Sequence, residues 1–110
     1  MTIPTWSGKK RFDYEGSVKT GTVIWYGASR NRISIEASQY ARLLKHFGRQ
    51  EVLVGTDHVN PPLGSLGEWL MENVKKTASA SYVAPILVQE GYAVRASNSG
   101  KIRFVMGLDC

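Results

Sequence analysis

Up to about residue 36 the apolar positions recur mainly every second residue, the period of a strand that buries one face. Phe12 and Tyr14 alternate with Asp13 and Glu15, and Gly21-Thr22-Val23-Ile24-Trp25-Tyr26 is a β-branched and aromatic run. Two strands joined by a turn around Gly16 to Gly21 are predicted. Ser29-Arg30-Asn31-Arg32 then reads as a polar turn into a short strand, Arg32 to Ile35, whose Ile33 and Ile35 share a face. The first 36 residues are expected to form a small antiparallel β-meander.

From Ala37 the period becomes helical. Tyr40, Leu43, Leu44 and Phe47 stand at i, i+3, i+4 and i+7, and Gly48 follows as a C-cap. The opposite face, with Gln39, Arg42, Lys45 and His46, reads as a solvated one. Glu51 to Gly55 is a strand candidate, and Thr56 to Pro62 an irregular loop. Ser65-Leu66-Gly67-Glu68 has the form of a capping box, which predicts a helix from about 66 to 75 with Leu66, Trp69, Leu70 and Val74 on its apolar stripe. Tyr82, Val83, Ile86 and Leu87 keep helical spacing until Gly91, so a third helix is predicted. Pro85 fits its first turn only if the helix starts near Ser81. Tyr92 to Ala96, a Ser97-Asn98-Ser99-Gly100 turn and Lys101 to Met106 then predict a hairpin.

No repeat or linker divides the 110 residues, so one α+β domain is expected. Hydrophobic residues make up 43% and charged residues 21%, a globular and not a disordered balance. No apolar run approaches the roughly 18 residues of a membrane span, and Met1 to Trp6 lacks the layout of a signal peptide, so a cytoplasmic protein with no membrane partner is expected. The only cysteine, Cys110, allows no intrachain disulfide and reads as a frayed terminal thiol. The net charge of +5 is compatible with a phosphate partner. Most of its carriers fall in small scattered groups: Lys9-Lys10-Arg11, Arg30 and Arg32, Arg42 with Lys45 and Arg49, Lys75-Lys76, and Arg95 with Lys101 and Arg103.

Helix, short strand, helix, turn, helix and hairpin, over residues 37–106, resembles the layout of winged helix-turn-helix domains. The local match is Leu87-Val88-Gln89-Glu90-Gly91-Tyr92-Ala93-Val94-Arg95, similar to the family's passage from its third helix through a glycine into the wing. The resemblance implies a three-helix domain with a C-terminal wing and a double-stranded DNA partner. The third helix would then lie in the major groove, its exposed candidates being Ser79, Ser81, Tyr82 and Gln89. Ser79, Ser81, Tyr82 and, at the wing tip, Asn98 would touch bases or groove. Lys75, Lys76, Arg95, Lys101 and Arg103 would hold phosphates. Winged helices also serve as interaction modules, so a DNA-binding regulatory protein has a rival in a protein-interaction or dimerisation module.

Catalytic constellations are lacking. His46 and His58 have no ligand-spaced partners, Asp13 and Glu15 read as a solvent-facing strand pattern, and Gly64-Ser65-Leu66-Gly67 is too short for a phosphate loop and lacks its lysine. A non-catalytic protein without metal or cofactor is expected. Trp6, Phe12, Tyr14, Trp25 and Tyr26 crowd the first third beside Lys9, Lys10 and Arg11. They could stack single-stranded bases, or Trp25 and Tyr26 could meet a protein partner. Adjacent Trp25 and Tyr26 must point to opposite faces of a strand, and the meander could cover its own helices or pair with a second copy as a homodimer.

Overall fold

The alternation in the first third is that of a sheet with one buried face. A computed structural model describes residues 1–57, 60–75, 78–96 and 100–105. Strands β1 (Thr2–Pro4), β2 (Arg11–Ser17), β3 (Gly21–Tyr26) and β4 (Asn31–Ile35) form an antiparallel sheet in sequence order. Its register sets Tyr14 opposite Ile24 and Ile24 opposite Ile33, all buried, and Asp13 opposite Trp25 and Trp25 opposite Arg32 on the other face. β1 is the strand the pattern does not announce: it has three residues and ends in Pro4, which suits an edge position.

Helices α1 (Ala37–Phe47), α2 (Leu66–Asn73) and α3 (Ala80–Gln89) follow the helical periods, with a short strand β5 (Glu51–Leu53) between the first two. Ser65 caps α2, its Oγ accepting from the Glu68 amide at 3.1 Å, while the Glu68 carboxylate reaches past Ser65 to the Gly64 amide at 2.8 Å. The second glycine of this capping stretch has a packing role: a Cβ on Gly67 would lie 1.9 Å from the Gly55 carbonyl oxygen, and the Gly67 amide donates to the Val54 carbonyl at 2.8 Å. α3 ends in the left-handed glycine expected of it. Gly91 has φ +87°, its amide bonds the Val88 carbonyl at 3.1 Å, and the Tyr92 amide bonds that of Leu87 at 2.9 Å, a Schellman closure.

The position of Pro85 is a correction to the sequence reading. α3 begins at Ala80, which puts Pro85 beyond the first turn, where it deprives the Ser81 carbonyl of its intrahelical donor. The backbone N–H of Trp6 supplies the missing bond, at 3.0 Å.

Strands β6 (Ala93–Arg95) and β7 (Lys101–Phe104) complete a second antiparallel sheet, in the order β5-β7-β6. The described chain is thus α+β, with a four-stranded antiparallel sheet, three helices and a small three-stranded sheet. α1 packs on β3, α2 on α3, and α3 on β6. Ile3, Phe12, Tyr14, Ile24, Ile33 and Ile35 of the meander share one core cluster with Tyr40, Phe47, Leu70, Ile86, Leu87 and Phe104. The inner face of the meander is therefore covered by this chain's own helices. Glu90 fastens the two parts: its carboxylate accepts from the Val18 amide at 2.9 Å and the Tyr14 hydroxyl at 3.2 Å.

Candidate nucleic-acid interface

The β6–β7 hairpin arises from two alternating runs, Ala93-Val94-Arg95 and Lys101-Ile102-Arg103-Phe104, that send Ala93, Ile102 and Phe104 to the core. Lys101 and Arg103 take the other face, opposite Leu53 and Glu51 of β5. The carboxylate of Glu51, distant in sequence from these cations, is placed beside Arg103 by the register. Lys75, just past α2, is exposed. Lys76 and Asn98 lie outside the described residues.

Arg95 is engaged elsewhere than the sequence reading placed it. Its guanidinium carbon stands 3.9 Å from the centroid of the Trp6 ring, and its Nη2 donates to the Trp6 carbonyl at 2.8 Å. Trp6 is itself only 7% exposed. The residue missed as a structural hub is thus Trp6, which joins α3 through its N–H and β6 through its carbonyl and ring. No local pattern marks it, because both partners lie more than seventy residues away.

The covering of α3 changes the picture of a helix presented to a groove. Ser79, expected on the exposed face, is fully buried, and its hydroxyl has no hydrogen-bond partner among the described residues. Ser81 is half-buried with its carbonyl taken by Trp6. Tyr82 stacks on Tyr26 at 4.7 Å between centroids and meets Phe12 edge-on at 5.1 Å. Of the four side chains expected to be exposed, only Gln89 is. For Ser81 and Tyr82 the physical reason is the N-terminal region, whose Trp6, Phe12 and Tyr26 meet them, while Ile3 and Pro4 run beside Pro85, Val88 and Gln89 and leave a cleft of about 150 Å³.

Two further clefts flank the turn between β1 and β2. One, of about 270 Å³, is lined by Thr5, Ser7, Lys9, Lys10, Ser81 and Tyr82. The other, of about 340 Å³, adds Trp6, Gly55, Thr56, Arg95 and Gly100 to the same Ser7. Lys9 and Lys10 were noted in the sequence only as a basic cluster near aromatics. What it could not show is that the turn brings them against the start of α3.

Trp25 and Tyr26 part as strand geometry requires. Tyr26 turns inward to Tyr82, and Trp25 lies half-buried on the outer face with Asp13 and Arg30. Asp13 is ion-paired with Arg30 and accepts from Thr2. The Arg30 hydrogen bond, then that of Thr2, holds its carboxyl below the ordinary carboxylate range. Among the described residues no group of three His, Cys, Asp or Glu side chains is placed to hold a metal ion, and no helix is long and apolar enough to cross a membrane. His58 and Cys110 lie outside the described residues. In comparisons with known proteins, no family model, no curated protein and no solved structure matches this chain.

Proposed function

We propose that this chain is a non-catalytic DNA-binding protein of the winged-helix type, holding duplex DNA by its phosphates. The observation that carries this reading is the order α1, β5, α2, α3, β6, β7 with β7 hydrogen-bonded between β5 and β6, the arrangement a winged helix requires of its wing. Lys101 and Arg103 on the outward face of that sheet, with Lys75 beyond α2, supply the phosphate contacts. Arg95 adds to them only with the N–H groups that Trp6 leaves unused. Because the meander covers α3, little of that helix is left to read base edges, and discrimination between sequences is weak.

The test is a fluorescence-anisotropy titration of random-sequence duplex and single-stranded DNA at two salt concentrations. Micromolar, salt-sensitive binding to duplex is expected. The Lys75→Ala, Lys101→Ala, Arg103→Ala variant should lower the slope of log affinity against log salt by about 0.9 per contact removed. Absence of duplex binding at low salt overturns the proposal.

One observation favours a second reading, a protein-interaction module. Leu53 (41% exposed) and Val94 (36%) share the outward face of the small sheet with Arg103, and Val105 (37%) follows β7. Under this reading that face and Trp25 meet a protein partner or a second copy, the association lacks a steep salt dependence, and Lys75→Ala, which lies off that face, leaves it unchanged.

A further inference from the structure

We propose that the cleft under the β1–β2 turn, lined by Thr5, Ser7, Lys9, Lys10, Ser81 and Tyr82, is a phosphate site that takes the sugar-phosphate backbone of the duplex. This inference rests on the DNA-binding function proposed above, and it extends the interface to a part of the chain outside the winged-helix region. Two ammonium groups and four hydroxyl-bearing side chains surround the cleft, and no carboxylate is among them. The Thr5 hydroxyl is spent on the Lys10 carbonyl at 3.3 Å, which leaves the hydroxyls of Ser7, Ser81 and Tyr82 and the two ammonium groups as donors to an anionic oxygen, and lysine serves phosphate as a compact positive charge. Among the described residues neither lysine ammonium has a carboxylate within salt-bridge distance, so no described side chain neutralises their charge.

The backbone that carries these groups is held in place before any ligand arrives. The Thr5 amide bonds the Lys10 carbonyl at 2.8 Å, the Gly8 amide bonds that of Thr5 at 2.9 Å, and the Lys9 amide donates to the Ser7 hydroxyl at 3.3 Å. The Trp6 amide fastens the same turn to Ser81 across the cleft. A turn tied at both ends spends little entropy on ordering when it binds. Position supports a strand-like ligand over an isolated ion. Ser7 is shared with the neighbouring cleft, whose lining reaches Arg95 and, at Gly100, the residue before Lys101 of the wing. Lys9 and Lys10 of the turn and Arg95 of the wing therefore line two neighbouring clefts that meet at Ser7, a spacing suited to a ligand with phosphates in series.

The experiment compares duplex titrations of the full chain with those of three double variants. Lys9→Ala with Lys10→Ala removes the cleft charges. Lys9→Arg with Lys10→Arg keeps them, and Arg42→Ala with Lys45→Ala removes two exposed charges from α1. The alanine cleft variant should lose about tenfold or more in affinity at moderate salt and about 1.8 from the salt slope, the arginine variant should retain most of the binding, and the α1 variant should change little. Equal losses in the cleft and α1 variants, no loss in the cleft variant, or failure of the arginine pair to retain binding would overturn the cleft site while the DNA-binding function stood. Absence of duplex binding by the unaltered chain overturns both. A parallel titration with adenosine monophosphate, followed by amide shifts of Ser7, Lys9 and Ser81, separates the sources. Saturable shifts there that the duplex does not displace would assign the cleft to a free nucleotide and overturn the backbone assignment.

Discussion

The backbone N–H of Trp6 donates to the carbonyl of Ser81 at 3.0 Å, and Ser81 is the residue four positions before Pro85. A proline at that place leaves a helix carbonyl without its donor and a pyrrolidine ring where the N–H would be. Here the orphaned oxygen becomes the point at which the N-terminal segment attaches to α3. The Trp6 ring and carbonyl then receive Arg95, so one residue ties the meander to both the last helix and the small sheet.

Truncating this hub should be severe. Trp6→Ala empties a site whose side chain is nearly enclosed, and a loss of roughly 3–5 kcal/mol is expected in urea unfolding. Pro85→Ala acts differently: it restores an N–H that competes for the Ser81 oxygen. Faster hydrogen exchange at the Trp6 amide is expected, with a smaller change in global stability.

Gly67 in α2 and Gly91 just past α3 separate steric contact from backbone conformation. Gly67→Ala drives a Cβ into the Gly55 carbonyl, so the capping of α2 and the Val54 carbonyl bond must shift; a loss of roughly 3 kcal/mol or more is expected. Gly91→Ala has nothing within 4 Å of the new Cβ, and only its positive φ is strained. Its cost should be about 1–2 kcal/mol. Thermal unfolding of both variants measures the difference.

Neighbouring aromatics of β3 should respond in opposite ways. Tyr26→Ala removes a ring stacked on Tyr82 and packed on the core, with an expected loss of roughly 2–4 kcal/mol. Trp25→Ala, on the outer face, should cost less than about 1 kcal/mol and leave duplex binding unchanged. Loss of single-stranded DNA binding in the Trp25 variant would instead favour base stacking on the sheet.

Alkaline stability is set in part by Tyr14. Burial, followed by the charge of Glu90 and the hydrogen bond to it, pushes the Tyr14 phenol from 10.0 up to about 12, and burial moves Tyr40 in the same direction. A raised folded-state value means that the native protein keeps a proton the unfolded chain has lost. The contribution is therefore fully present below pH 10 and declines as pH rises from about 10 to about 12. Tyrosinate absorbance should show at least two of the five tyrosines ionising late, together with unfolding. Ionisation of all five near their ordinary value in the folded chain would contradict this. Glu90→Gln, which removes the charge, should bring Tyr14 back toward that value.

Much of the local structure was legible along the chain, because it depends on neighbours. The period of two in residues 11–35, the i, i+3, i+4 spacing of Tyr40 to Phe47, the Ser65 cap and the Gly91 exit are short-range signals, and each marks the element it predicts. Strand geometry likewise required Trp25 and Tyr26 to part, although which of them would turn inward was not written there.

The docking of one element on another was settled only by the tertiary structure. β1 is too short, and too marked by Pro4, to be read as a strand, and it exists because β2 offers an edge beside the core. Ser79 has the composition of an exposed cap residue, yet it is buried. Trp6 reaches Ser81 and Arg95, and Lys9 and Lys10 reach the start of α3, across more than seventy residues of chain. Periodicity reports which face of an element is apolar and is silent about which apolar face will cover it. That choice belongs to the packing of the whole core, and here it laid the meander over the helix that the winged-helix resemblance implied would be open.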